Sequence, residues 1–172
     1  AKGIGSGSGF VMRGIGSYGV GAAVVSSIVT SVNGHSVNPS IMTDMGFMDL
    51  ERIEVLNGPQ GTLFGRNSVA GVINLITKRP TNEFEGFVKY ESGSWDKETV
   101  QGAINLPFSD NVSARLAFMT NTRDGMVDNP FTGNVMDDRN DEAVRLSIDW
   151  DINDTTELRF TYSGQKSDDN RP

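Results

Sequence analysis

The chain has 172 residues, enough for one ordinary domain or two partial ones, and its 37% hydrophobic content with 20 glycines favours turns and thin sheets over a thick core. A formal charge of −7 with a pI near 4.6 gives a nucleic-acid partner no electrostatic support. The absence of cysteine excludes disulfide frameworks, thiolate zinc sites and thiol nucleophiles.

Ala1 to Gly9 carries one lysine and no apolar run, so it does not read as a signal peptide. Phe10 to Arg13 is a short strand candidate closed by Gly14 and Gly16. The stretch Val20 to Val32 is broken by Ser26, Ser27, Thr30 and Ser31 and is too short for a membrane helix, which needs roughly 20 apolar residues. Ser26 to Val32 reads instead as a β-branched strand, and Asn33-Gly34 supplies the positive-φ pair of a tight hairpin turn, with His35 in the loop. Thr43 or Asp44 is placed to cap a short helix running to Leu50. Ile53 to Leu56 is a strand stopped by Asn57-Gly58-Pro59, and Val72 to Thr77 is a cleaner one ended by Lys78-Arg79-Pro80. Between them, Gly58-Pro59 and Gly61 force a reversal, and Gly65 to Ser68 suggests a turn into a capped helix ending at Gly71.

Past Pro80 the pattern changes. Net charge is +2 over residues 1–80 and −9 over residues 81–172, which marks a boundary. Five segments then alternate with period two: Gly86 to Tyr90, Thr99 to Leu106, Val112 to Asn121, Ala143 to Trp150 and Glu157 to Ser163. Each has one apolar and one polar face. Short turns at Pro107 to Asn111 and Asp151 to Thr155 contrast with a long acidic loop from Arg123 to Asp141, the asymmetry of an outer-membrane barrel. Tyr90, Phe108 and Trp150 fall near strand ends, where aromatic girdles sit. Alternation alone fits a soluble β-sandwich or jelly roll equally well, and a soluble carbohydrate-binding or adhesive β-domain is the alternative function. The barrel reading requires Arg115, Arg145 and Arg159 to face inward, since a lipid-facing arginine at mid-depth costs roughly 2–4 kcal/mol.

The stretch Asp49 to Pro80, DLERIEVLNGPQGTLFGRNSVAGVINLITKRP, decides between them. It closely resembles the end of the plug domain of TonB-dependent outer-membrane receptors, including Gly58, Pro59, Gln60, Gly61, Gly65, Arg66, Gly71 and Asn74. Upstream, Met12-Arg13-Gly14 and Val32-Asn33-Gly34 sit where that family has an Arg-Gly strand and a Val-Asp-Gly turn. The resemblance implies an α+β plug segment over residues 1–80, followed over 81–172 by the first five or so antiparallel transmembrane strands of a barrel of about 22 strands. On that basis the chain is a fragment lacking the signal peptide, the TonB box and most of the barrel. The resemblance also implies that Arg13, Glu51, Arg52, Glu54 and Arg66, with the glycine-rich turn, form a latch between plug and barrel wall. Three departures stand out: Asn57 where arginine is usual, Ala70 where glycine is common, and Asn33 in place of Asp.

Catalytic patterns are weak. Gly14 to Gly19 formally matches GxGxxG but lacks a following helix pattern and an acidic residue about twenty positions on. His35 is the only histidine, and Asp149, Asp151, Asn153 and Asp154 lack the glycine and closing glutamate of a calcium loop. No cofactor or metal is expected. What the resemblance implies is energised uptake of a scarce nutrient, a ferric siderophore or other iron complex being the commonest, across a Gram-negative outer membrane, with TonB and outer-membrane lipid as partners and no enzymatic step. Ligand contacts are expected from plug apices and loops such as Arg123 to Asp141.

Overall fold

The computed structural model describes residues 11–12, 15–16, 27–37, 47–64, 68–128, 130 and 135–168. The chain divides into two compact units, Ala1–Lys78 and Arg79–Pro172.

In the first unit, β1 (Val11–Met12) and β2 (Ile15–Gly16) pair as a small hairpin. A four-stranded mixed sheet has β3 (Ile28–Val32), β4 (His35–Val37), β5 (Leu50–Asn57) and β6 (Gly71–Thr77) in the order β4-β3-β6-β5. Strand β6 lies centrally, parallel to β3 and antiparallel to β5. That position explains its near-continuous apolar run, because Val72 and Leu75 on its opposite faces are both fully buried. Met12, Ile28 and Ala70 pack together beside Ile73 to form the small core of this unit. The β3–β4 turn is the one the sequence predicts, with Asn33 at φ 51° and Gly34 at φ 81°.

Four details differ from the sequence reading. His35 opens β4, paired with Val32, rather than sitting in a loop. Leu50 begins β5 and does not end a helix; Asp49 before it takes φ 49°, which a continuing helix forbids. The helix near Gly65 lies earlier, as the single turn α1 (Gly61–Phe64), closed by Phe64 N–H donating to the Gln60 carbonyl at 3.0 Å. Gly71 opens a strand instead of ending a helix, because its neighbour Ala70 is tied by backbone bonds to both Ser27 and Gly58. Residues 38–46 and 65–67 lie outside the described residues, as do Phe10 and Arg13.

The second unit is a five-stranded antiparallel meander of β7 (Glu85–Gly93), β8 (Lys97–Ser109), β9 (Val112–Arg123), β12 (Arg139–Asn153) and β13 (Thr156–Ser167), paired in chain order. All five alternating segments are strands, each longer than its apolar–polar pattern marks. The interval between β9 and β12 is less irregular than its composition suggests, since it holds the hairpin of β10 (Val127–Asp128) and β11 (Val135–Met136). No helix among the described residues is long and apolar enough to cross a membrane, which says nothing of strands.

Register turns the alternation into two opposed surfaces. One face stacks rows such as Glu85–Asn105–Arg115–Ser147–Thr161 and Glu91–Thr99–Asn121–Asp141–Ser167. The other stacks Gly86–Ile104–Leu116–Leu146–Tyr162, then Val88–Gly102–Phe118–Val144–Gly164, with Leu106–Ala114–Ile148–Phe160 towards the short turns. In the central strands the polar face is the buried one: Arg115 is 2% and Arg145 7% exposed, whereas Leu116 and Phe118 are 39% and 38% exposed. Both arginines therefore lie on the buried face, the one that the barrel reading turns inward. Arg159 shares that face as the partner of Asp149.

Candidate functional site

The glycine-rich motif owes its residues to backbone geometry. Strand β5 ends at Asn57 and Gly58 takes φ 88°, a conformation that costs other residues a Cβ clash, so the chain turns into Pro59. Gly58 N–H donates to the Ala70 carbonyl at 3.1 Å and Gln60 N–H to the Ser68 carbonyl at 2.9 Å, closing the loop around α1. Gly71 has φ 153°, and a Cβ there would overlap the Leu56 carbonyl oxygen and the Met12 Sδ. These glycines are needed where the loop leaves β5 and enters β6. Gly61 begins α1 with open space around it. Gly65 and Arg66, like Arg13, fall outside the described residues.

Of the charged residues singled out, Glu51, Arg52 and Glu54 come together on β5. Arg52 Nη1 reaches Glu51 Oε1 at 2.5 Å and Arg52 Nε reaches Glu54 Oε1 at 2.9 Å. The second Glu54 oxygen accepts from Asn74 Nδ2 at 2.9 Å, and Asn74 Oδ1 accepts from Ser31 Oγ at 2.8 Å and Gly34 N–H at 3.0 Å. Glu54, Asn74 and Ser31 are cross-strand neighbours on β5, β6 and β3, so the network is a direct result of register. The Asn74 hydrogen bond, followed by that from Arg52, holds the Glu54 carboxyl below its ordinary range. Ile53 and Val55 on the same edge strand remain about half exposed.

Asn33 shows what replaces the family's usual Asp. Its Oδ1 accepts from Thr77 N–H at 3.0 Å and its Nδ2 donates to Thr77 Oγ1 at 3.0 Å, so the amide uses a donor that a carboxylate lacks. Ala70 is buried and takes no positive φ, which accounts for its tolerance in place of glycine. Asn57 is exposed at the end of β5.

Sequence reasoning missed a second charged cluster on the polar face near the short turns. Arg79 Nη2 and Nε lie 2.8 and 3.1 Å from Asp149 Oδ2, and Arg79 also bonds Glu157. Arg159 Nε lies 2.8 Å from Asp149 Oδ1 and its Nη2 lies 2.5 Å from Glu157 Oε1. Further up the same face, Arg115 pairs with Glu85 at 3.1 Å, Thr99 Oγ1 donates to Asn121 at 3.0 Å and Ser167 Oγ donates to Asp141 at 2.6 Å. The only signal for Arg79 in the sequence was its place in the motif.

At the opposite end, a groove of about 810 Å³ is lined by Trp95, Asp96, Arg123, Asp124, Asp128 and Asp138 among others. Trp95 and Asp96 both take positive φ, and the Trp95 carbonyl accepts from Asp124 N–H at 2.8 Å. Arg123 pairs with Asp137 at 2.9 Å, while its Nε is buried without a partner. Among the described residues there is no group of three or more acidic or histidine side chains placed to hold a metal.

A buried polar face, a more exposed apolar face and a motif-bearing sheet that precedes them in the chain fit what the family resemblance implies. Residues 1–72 match the TonB-dependent receptor plug domain. The chain belongs to the TonB-dependent receptors. It is 31% identical over 127 residues to the ferric-pyoverdine 358 receptor of Pseudomonas putida, covering 74% of this chain. It is 34% identical over 128 residues to the ferrioxamine B receptor of Salmonella typhimurium, covering 73%. The chain spans only 15% and 16% of those two proteins. In fold it resembles the ferric yersiniabactin uptake receptor FyuA of Yersinia pestis, with a TM-score of 0.76 at 19% identity over 89% of this chain and 26% of that one. The pyoverdine outer-membrane receptor FpvA of Pseudomonas aeruginosa gives 0.68 at 25% identity over 88% of this chain and 22% of that one.

Proposed function

We propose that this TonB-dependent receptor segment forms the C-terminal part of a plug, residues 1–80, and the first five transmembrane strands, residues 81–172, of a protein that imports a ferric siderophore across a Gram-negative outer membrane. The observation that carries the membrane reading is the inverted sheet, with polar side chains paired on its buried face and apolar ones turned outward. The outward apolar rows from Trp150 to Val144 span roughly 20 Å along β12 at ~3.4 Å per residue. Tyr90 and Val100 extend the band on the loop side, and Phe108 and Ile152 on the turn side, close to the ~25 Å apolar belt of outer-membrane barrels. A soluble sandwich or carbohydrate-binding domain buries the opposite face.

The siderophore assignment rests on the relatives named ferric-pyoverdine and ferrioxamine B receptors. Closure needs further strands, on the family's pattern about 22 in all, because β7 and β13 are open edges that lipid cannot satisfy. Glu51, Arg52 and Glu54 on the edge strand β5, with Arg13, Arg66 and the Gly58–Pro59–Gln60–Gly61 turn, Gly65 and Gly71, supply the plug's latch to the wall. The groove around Trp95 and Arg123 contributes to the ligand-facing end. TonB engages a segment N-terminal to this one, and transport proceeds by plug displacement with no covalent chemistry, cofactor or enzymatic step.

Cells carrying the intact receptor are expected to take up radio-iron presented as a ferric siderophore, and a protonophore should abolish that uptake. Uptake unchanged by deletion of the receptor for every ferric siderophore supplied, or an intact protein that stays in water without detergent, would overturn the proposal.

A further inference from the structure

Six residues, 79 to 84, join the first unit to β7, and they are fastened to the sheet at three separate places, two on its polar face and one at the β8–β9 turn. Arg79 binds Asp149 on β12 and Glu157 on β13. Thr81 N–H donates to Asn105 Oδ1 at 3.0 Å, while Asn105 Nδ2 donates to the Thr81 carbonyl at 2.7 Å and the Glu83 carbonyl at 2.5 Å. Asn82 Nδ2 donates to the Asp110 carbonyl at 3.0 Å. The segment thus crosses the turn end of the sheet from its last two strands to β8 before entering β7. Asn105 is wholly buried and spends its amide on this segment, and Arg79 joins a cluster of two cations and two anions in which each carboxylate is shared by both arginines. A connector that merely linked two bodies would leave its polar groups to water.

We propose that residues 79–83 are a strap fixed to the barrel wall and that Arg79 is a stationary pivot. Displacement of the plug then ends at Lys78, and β7 keeps its register while the preceding unit moves. This rests on the transport reading above. It makes Arg79, Asn105 and Asp149 positioning residues that need not touch the ligand.

Two measurements on the intact receptor test it. In hydrogen exchange, the Thr81 amide is expected to be protected, and Arg79→Gln should speed its exchange roughly tenfold to a hundredfold, the range for loss of charge-assisted bonds, with the β5–β6 amides unchanged. Glu157→Gln, at the exposed rim of the cluster, should act in the same direction by about threefold. Unprotected Thr81 in the wild type, or no change in either variant, refutes the strap. These 172 residues hold no cysteine, so in an intact receptor whose other cysteines are first replaced, Arg79→Cys with Asp149→Cys can be bridged by a short flexible bismaleimide. A stationary pivot predicts siderophore uptake within about twofold of the receptor alkylated singly at both sites. Uptake abolished only by the bridge overturns the pivot. A wild-type receptor that imports nothing overturns the transport reading instead, and the exchange data still judge the strap.

Discussion

Exchanging the character of two adjacent residues on β9 tests the inverted sheet directly. Leu116 lies outward in the middle apolar row, with Ile104 and Leu146 as its cross-strand neighbours and apolar rows on both sides. From Val112 at the short turn it is four residues along the strand, roughly 14 Å at ~3.4 Å per residue and ~10 Å after a tilt of ~40°, so it sits near mid-depth. Leu116→Arg then carries a charge to the bilayer centre and should cost about 2–4 kcal/mol. At about 1.4 kcal/mol per tenfold, the balance between inserted and uninserted receptor falls by roughly 30- to 700-fold. The neighbouring Arg115→Leu places an apolar side chain on the buried polar face and strips Glu85 of its 3.1 Å partner, but moves no charge into lipid. Its cost should be smaller and independent of bilayer thickness. The assay is urea titration of the intact receptor refolded into phospholipid vesicles, with the folded fraction read from heat-modifiable migration. Leu116→Arg inserting as well as the wild type in thick and thin bilayers alike would refute the assignment of that face to lipid.

Other outcomes follow from the plug sheet. Gly71→Ala must relieve its Cβ from the Leu56 carbonyl and Met12 while holding φ 153°, so a loss of about 2–4 kcal/mol is expected, seen as accelerated exchange of the β5–β6 amides. Gly61→Ala, in open space at the start of α1, should be neutral or slightly stabilising by the same measure. Because the folded state holds the Glu54 carboxyl below its ordinary value of 4.5, its contribution is present above that pH and is lost as pH falls through the lowered folded value. Glu54→Gln should therefore lower the thermal midpoint at pH 7, and the difference from wild type should close under acid; a gap that persists unchanged to pH 2 contradicts the carboxylate's role. Asn33→Ala removes both Thr77 bonds and leaves alanine at positive φ, for an expected loss of about 1–3 kcal/mol in thermal or urea unfolding, whereas Asn33→Asp should cost less.

Local chemistry wrote much of this protein openly. Alternation marked all five strands of the second unit, because a side-chain period of two survives whatever the strand pairs with. Asn33-Gly34 gave the β3–β4 turn, and Gly58 gave the place where the backbone must leave ordinary φ/ψ space after β5. Local signals failed where competing glycines offered more than one reading: Gly61, Gly65 and Gly71 can each start or stop a helix, and only the pairing of Ala70 with Ser27 and Gly58 fixes the last as the start of β6. Which of the two faces is buried could not be read from alternation, since a soluble sandwich has the same period. Register and packing decided it by drawing Arg115, Asn121 and Asp141 into one buried row system and leaving Leu116 and Phe118 outside. The fastening of Arg79 to Asp149 and Glu157 joins residues 70 and 78 positions apart. No window of sequence contains both ends of such a bond, so its energy and its consequence belong to the tertiary structure alone.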